Sequence, residues 1–166
     1  MKPRVQVQPI YVKVAHHAVG QEGDVLVTLG LGSCVAIVLH DRQARVGGLA
    51  HVLLPEPALA RDRHNTAKFA ATAVPMLIEE LAGLGAKERR LEARLAGGAS
   101  MFATLMVPGS LNMGERNIRA TREALRKAGV PILGEAVGGD YGRSVRFTVG
   151  EGRTVVSSVG RVDVVL

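Results

Sequence analysis

An apolar, strand-forming run is interrupted once, by Gly30-Leu31-Gly32-Ser33, and resumes at Cys34, the only cysteine of the chain. Val25-Leu26-Val27-Thr28-Leu29 before the break and Cys34-Val35-Ala36-Ile37-Val38-Leu39 after it are both rich in aliphatic and β-branched residues, as buried strands are. Any fold of this chain must therefore turn sharply between two strands and present a thiol where the second begins. Two glycines within three residues let the backbone approach a ligand closely. Successive N–H groups in such a turn form an anion-accepting nest. A covalent nucleophile beside an oxyanion hole requires that layout, with Gly32 and Ser33 supporting the turn. The phrase lacks the Gly-Lys-Ser/Thr ending of a phosphate-binding P-loop. No helical pattern follows Cys34, as a dinucleotide fingerprint demands. The competing reading of a lone cysteine in an apolar strand is a small buried hydrophobe.

The bulk numbers narrow the classes. At 166 residues, 47% hydrophobic and 22% charged, the chain reads as one globular domain, residues 1–166. One cysteine excludes an internal disulfide and a multi-cysteine zinc site. The net charge of +6 raises nucleic acid as a partner, but aromatics are only 3% of residues, too few for a base-stacking surface, and acids interleave with the basic clusters. An acidic protein partner accounts for the charge as well. The N-terminus carries no apolar signal segment, and the longest uncharged stretch, residues 95–114, holds Pro108 and four glycines, which argues against a membrane helix. A cytoplasmic protein is expected.

Periodicity then sketches the elements. Residues 5–14 read as a strand, His16, His17 and Gly20-Gln21-Glu22-Gly23 as a loop, and residues 46–53 as a strand returning after the polar turn at 41–45. Residues 65–81 have helical spacing, with Asn65 as a cap, Gly83 as a stop and Pro75 expected to kink or split the helix. Residues 89–95 suggest a short strand and Pro108-Gly109-Ser110 a loop. Residues 114–128 form a second amphipathic helix ended by Gly129. Residues 143–149 and 154–159 read as strands. The class that follows is α+β, a largely antiparallel sheet packed with two main helices.

A thiol nucleophile needs a base, and the histidines are His16, His17, His40, His51 and His64. If the strands around Asp41-Arg42-Gln43-Ala44-Arg45 form a hairpin, Cys34 and His51 fall almost opposite each other. A four-residue loop opposes them directly on one face. A five-residue loop points them apart, unless Gly47-Gly48 restores alignment through a bulge. His51 reads equally as a core histidine. Thr28 is either a β-former or the group that accepts the other ring N–H of His51. Phe69 and Phe102 read as core residues.

Several phrases in order resemble the CheD family of chemoreceptor glutamine deamidases. They are Leu29-Gly30-Leu31-Gly32-Ser33-Cys34-Val35-Ala36, Gly48-Leu49-Ala50-His51-Val52-Leu53-Leu54-Pro55, Arg63-His64-Asn65-Thr66-Ala67-Lys68-Phe69, Gly97-Gly98-Ala99-Ser100-Met101-Phe102, Asn112-Met113-Gly114-Glu115-Arg116-Asn117 and Gly138-Gly139-Asp140-Tyr141-Gly142-Arg143. The resemblance implies a layered α+β fold like the catalytic domains of deamidating toxins. It implies a cysteine hydrolase with Cys34 as nucleophile, His51 as base and Thr28 as third member, needing no metal or organic cofactor. The implied substrates are glutamines of methyl-accepting chemotaxis receptors, and for some members glutamyl methyl esters. A CheC-type phosphatase is the implied protein partner, and a non-catalytic adaptor of that phosphatase is the alternative role. The chain departs from the family before the double glycine, where Gly134-Glu135-Ala136-Val137 stands.

Overall fold

Residues Val35–Asp41 form a strand buried at all seven positions, which places it in the middle of the molecule. Alternate side chains of this strand enter two different cores. Val35, Ile37 and Leu39 pack with Leu77, Leu81 and Leu125, whereas Ala36 and Val38 pack with Leu26, Val145 and Phe147. A strand covered on both faces shows no polar alternation, which is why its sequence is a continuous apolar run.

The computed structural model describes residues 6–102, 105 and 112–166. The elements run β1 (Ile10–Tyr11), β2 (His17–Gln21), β3 (Val25–Leu31), β4 (Val35–Asp41), β5 (Val46–Val52), α1 (Ala70–Gly83), β6 (Leu91–Gly97), α2 (Met113–Ala128), β7 (Ile132–Val137), β8 (Arg143–Thr148), β9 (Arg153–Ser157) and β10 (Val164–Val165). Two five-stranded sheets result, with orders β1-β3-β8-β9-β10 and β2-β5-β4-β6-β7. The β1–β3 and β6–β7 pairs are parallel and the other strand pairs are antiparallel. The two helices cover one face of the second sheet and the first sheet covers the other, giving three layers in an α+β fold. Gly47 lets the two sheets approach closely, since a Cβ there would lie 2.6 Å from the Phe147 ring.

Several elements differ from the expectations. His17–Gln21 is a strand rather than a loop, pairing with β5 from His17↔Ala50 to Gln21↔Val46. It supplies the outer edge that β5 otherwise lacks, and a pairing between distant segments is invisible to local periodicity. The first strand is short, because Ala15 turns the chain at φ 61° soon after Tyr11. Val5, at the start of the expected strand, lies outside the described residues, as does the expected loop at Pro108-Gly109-Ser110. Helix α1 begins at Ala70, and Asn65 instead caps a single 3-10 turn, Thr66–Lys68, by accepting from the Ala67 N–H at 3.1 Å. The helix runs through Pro75, whose position is exposed, so the carbonyl that loses its partner can be met by water. Helix α2 has the expected end, with Gly129 left-handed at φ 70°, and Asn112 caps its start by accepting from the Glu115 N–H at 2.8 Å.

Candidate active site

The glycine phrase does two separate things. Strand β3 continues through Gly30, but its register against β8 slips between Thr28↔Val145 and Leu31↔Arg143. Gly30 occupies this bulge at φ 71°, a conformation that favours glycine. The chain then reverses through Gly32-Ser33 into β4. The turn is laced to a second glycine loop: the Gly98 N–H donates to the Cys34 carbonyl and the Ala99 N–H to the Gly32 carbonyl, each at 2.8 Å. A third loop joins them, with Gly138 N–H to Gly97 carbonyl at 2.9 Å and Ser100 N–H to Gly139 carbonyl at 2.8 Å. Three phrases far apart in sequence thus converge around Cys34. Cys34 is 7% exposed, at the edge of the core between the sheets. Burial pushes its thiol pKa up, partly offset by its own backbone N–H.

His51 lies on β5 with no exposed surface. The turn holds four residues between Asp41 and Val46, and the register is continuous, so His51 opposes Ala36 and not Cys34. The expectation of direct opposition is corrected by one two-residue step. Cys34 lies diagonal to His51 and, because the side-chain period is two, on the same face. No bulge occurs at Gly47-Gly48. The imidazole reaches across the gap between the sheets, where its Nδ1 lies 2.7 Å from the Thr28 hydroxyl. Thr28 Oγ1 also donates to the Val12 carbonyl at 2.6 Å. A hydroxyl has one proton, and it is committed to Val12, so Oγ1 accepts from His51. The proton of the neutral imidazole therefore sits on Nδ1, and Nε2 carries the free lone pair. That Nε2 is buried and has no hydrogen-bond partner among the described residues, Cys34 Sγ included. Burial lowers the His51 pKa to about 4, so the ring is neutral at physiological pH.

One side chain at this site was not singled out by its sequence pattern. Asn117 on α2 is fully buried. Its Nδ2 donates to the Ser33 carbonyl at 2.9 Å and to the Leu53 carbonyl at 3.0 Å, linking the turn before Cys34 to the end of the strand that carries His51. The signal was a polar residue in the apolar stripe Ile118, Thr121, Leu125 of an otherwise ordinary helix. Its Oδ1 is buried with no partner among the described residues, at a cost of about 1–3 kcal/mol.

The remaining candidates fall elsewhere. His40 is buried edge-on against Phe147, with ring centroids 5.8 Å apart. His17 pairs with Glu80 at 2.8 Å, and His64 is exposed. Phe69 is in the core, but Phe102 is 73% exposed, contrary to expectation. It follows Met101, whose sulfur would lie 3.3 Å from a Cβ on Gly32, at the rim of the turn rather than inside the fold. Beside Gly30 opens a cleft of about 540 Å³ lined by Tyr141, Arg143, Ser144 and Ser157, with no acidic residue. Among the described residues no three His, Cys, Asp or Glu side chains gather as a metal would require.

Comparison with known proteins places the chain in a family. A solved Neisseria meningitidis protein of the DUF152 family has the same fold at a TM-score of 0.53, with 13% identity over 82% of this chain and 66% of that one. Residues 53–158 match the family described as CheD chemotactic sensory transduction. A Caldanaerobacter subterraneus protein named probable chemoreceptor glutamine deamidase CheD is 45% identical over 90% of this chain and 92% of its own. The Thermotoga maritima chemoreceptor glutamine deamidase CheD is 43% identical over 90% of this chain and 91% of its own. The family match begins just after His51, but coverage of 90% of 166 residues leaves no room to miss positions 28–51. With that breadth of identity and that match, the chain belongs to the CheD family.

Proposed function

We propose that this protein converts glutamine side chains of methyl-accepting chemotaxis receptors to glutamate and ammonia, with Cys34 as nucleophile and His51 as base. The observation that carries the reading is the tautomer of His51: Thr28 directs a lone pair to Nε2, on the strand face shared with Cys34. Buried thiol and buried imidazole both favour the neutral state, so the resting pair is thiol and imidazole rather than an ion pair. As Sγ attacks the amide carbon, its proton passes to Nε2. The oxyanion is held by backbone N–H groups of the Gly32-Ser33-Cys34 turn. The imidazolium returns the proton to the departing nitrogen, the C–N bond breaks, and ammonia leaves a thioester on Cys34. Water then attacks, giving its proton to His51; the C–S bond breaks and the thiol is restored. A glutamyl methyl ester follows the same route with methanol leaving.

The Sγ–Nε2 hydrogen bond is absent here and forms as substrate enters, since such bonds commonly tighten only in the reacting complex. The same absence is what favours the second reading, an adaptor that acts by binding a CheC-type phosphatase. One experiment separates them. Purified receptor cytoplasmic fragments are incubated with the protein, then examined by mass spectrometry for replacement of a side-chain NH2 by OH, with ammonia assayed in parallel. Conversion by the parent protein and none by Cys34→Ala or His51→Ala is expected. Conversion by either variant removes that residue from the mechanism, and none by the parent leaves the adaptor.

A further inference from the structure

The nucleophile and the base belong to different segments, and Asn117 holds both at 2.9 and 3.0 Å through the carbonyls of Ser33 and Leu53. The first bond fixes a peptide plane. In a trans peptide the carbonyl and the following N–H point to opposite edges, and no described peptide bond is cis. With the Ser33 oxygen drawn toward α2, the Cys34 N–H is turned away from α2. That N–H acts on its own sulfur, partly offsetting the effect of burial on the thiol. An oxyanion formed when Sγ attacks a carbonyl carbon develops beside the same sulfur.

We infer that Asn117 is a positioning residue for catalysis: by holding the Ser33 carbonyl it keeps the Cys34 N–H aimed as an oxyanion donor, and by holding Leu53 it fixes that donor against the strand of the base. The inference rests on the reading of Cys34 as nucleophile. Asn117 is suited to the task because one NH2 supplies both donors. The opposite amide orientation is excluded, since it sets Oδ1 against two carbonyl oxygens. The unpartnered, buried Oδ1 shows that the side chain is oriented for its donors alone. The Cys34 carbonyl is separately held by the Gly98 N–H at 2.8 Å, so the peptide units on both sides of the nucleophile are pinned.

The test uses Asn117→Asp, nearly isosteric but without the NH2, and compares two reactions of the same thiol. Deamidation of receptor fragments passes through an oxyanion. Alkylation of Cys34 by iodoacetamide does not. Expected for the folded variant is a fall in kcat of about 10²-fold, close to the loss of one oxyanion donor, with KM and the alkylation rate within about threefold of the parent. Unchanged kcat overturns the inference, as does a parallel fall in kcat and alkylation, which a loosened fold produces. Should the variant not fold, the unmodified protein still decides: a peptide aldehyde mimicking the glutamine side chain is captured on Cys34 and the complex solved. The hemithioacetal oxygen within hydrogen-bonding distance of the Cys34 N–H supports the inference, and an oxygen bound elsewhere overturns it. Activity retained by Cys34→Ala is a failure of the nucleophile reading, whereas an inert Cys34→Ala beside a fully active Asn117→Asp is a failure of this inference alone.

Discussion

A single proton on Thr28 settles which nitrogen of His51 is free. Because that proton goes to Val12, the hydroxyl oxygen accepts from Nδ1 and leaves the Nε2 lone pair free, as the proposed base requires. Thr28→Val keeps the branched shape and removes the acceptor, and the valine methyl leaves the Nδ1–H of a fully buried ring unpaired. We expect kcat on receptor fragments to fall by about 10²-fold, the lower end of what general acid–base catalysis contributes, and the fold to lose about 1–3 kcal/mol for the Nδ1–H left unpaired in the core. Unchanged kcat would mean that the hydroxyl only fills space. The pH profile reports the same residue from another side. Burial holds the His51 pKa at about 4, below its ordinary 6.5. As pH falls, Nε2 becomes protonated and cannot accept the thiol proton, so kcat/KM declines through the pKa of the free enzyme. The acidic limb is therefore expected near pH 4, and a limb at the ordinary histidine value would show that His51 is solvated or is not the base.

At the level of elements, the hairpin of β4 and β5 carries His51 and begins directly after Cys34, and its turn is fastened by Asp41. The Asp41 carboxylate accepts from the Gln43 and Ala44 N–H groups at 3.0 Å, from the Lys87 N–H at 2.9 Å and from Arg90 Nη2 at 2.8 Å. Burial alone would raise its pKa, but these donors outweigh burial and bring it down to about 2. A carboxylate whose folded pKa is depressed stabilises the fold above its unfolded value near 4 and loses that contribution as pH falls toward 2. Asp41→Ala leaves Arg90 and three backbone donors without their acceptor, and a loss of about 3–5 kcal/mol in denaturant unfolding at neutral pH is expected. A loss below about 1 kcal/mol would class the pair with weak surface bridges. The hairpin was legible because its turn and both strands are local, but the shared face of Cys34 and His51 follows only once the loop is known to hold four residues rather than five. Their diagonal offset was not legible, since it depends on whether Asp41 ends the strand or begins the turn. The His17–Gln21 strand and the role of Asn117 were hidden for a related reason: each depends on a partner from elsewhere in the chain, β5 for the one and the Ser33 and Leu53 carbonyls for the other.

Across the whole molecule, three glycine loops meet at the end where Cys34 lies, and two arginines stand near them, Arg143 buried with Nη1 donating to the Gly138 carbonyl at 2.7 Å and Arg161 exposed. The cleft beside Gly30 has no acidic lining residue, and Tyr141 in it is stacked by two guanidinium groups, Arg143 at 4.2 Å and Arg161 at 3.7 Å. Neither arginine has a carboxylate partner among the described residues, and the chain carries +6 overall. The substrate proposed above, a helical receptor fragment, is too long for an enclosed pocket and must be met by surface, and acidic residues on it would be drawn to a chain of net charge +6. The Debye length shrinks from about 30 Å at 0.01 M salt to about 10 Å at 0.1 M, so steering weakens over that range while short-range contacts at the thiol do not. Raising salt from 0.01 to 0.3 M is therefore expected to lower kcat/KM on receptor fragments by roughly tenfold through the association rate. The alkylation of Cys34 by neutral iodoacetamide should change little over the same range, which separates lost encounter from a damaged site. Receptor turnover insensitive to salt would assign the net positive charge to something other than steering, whatever the chemistry at Cys34.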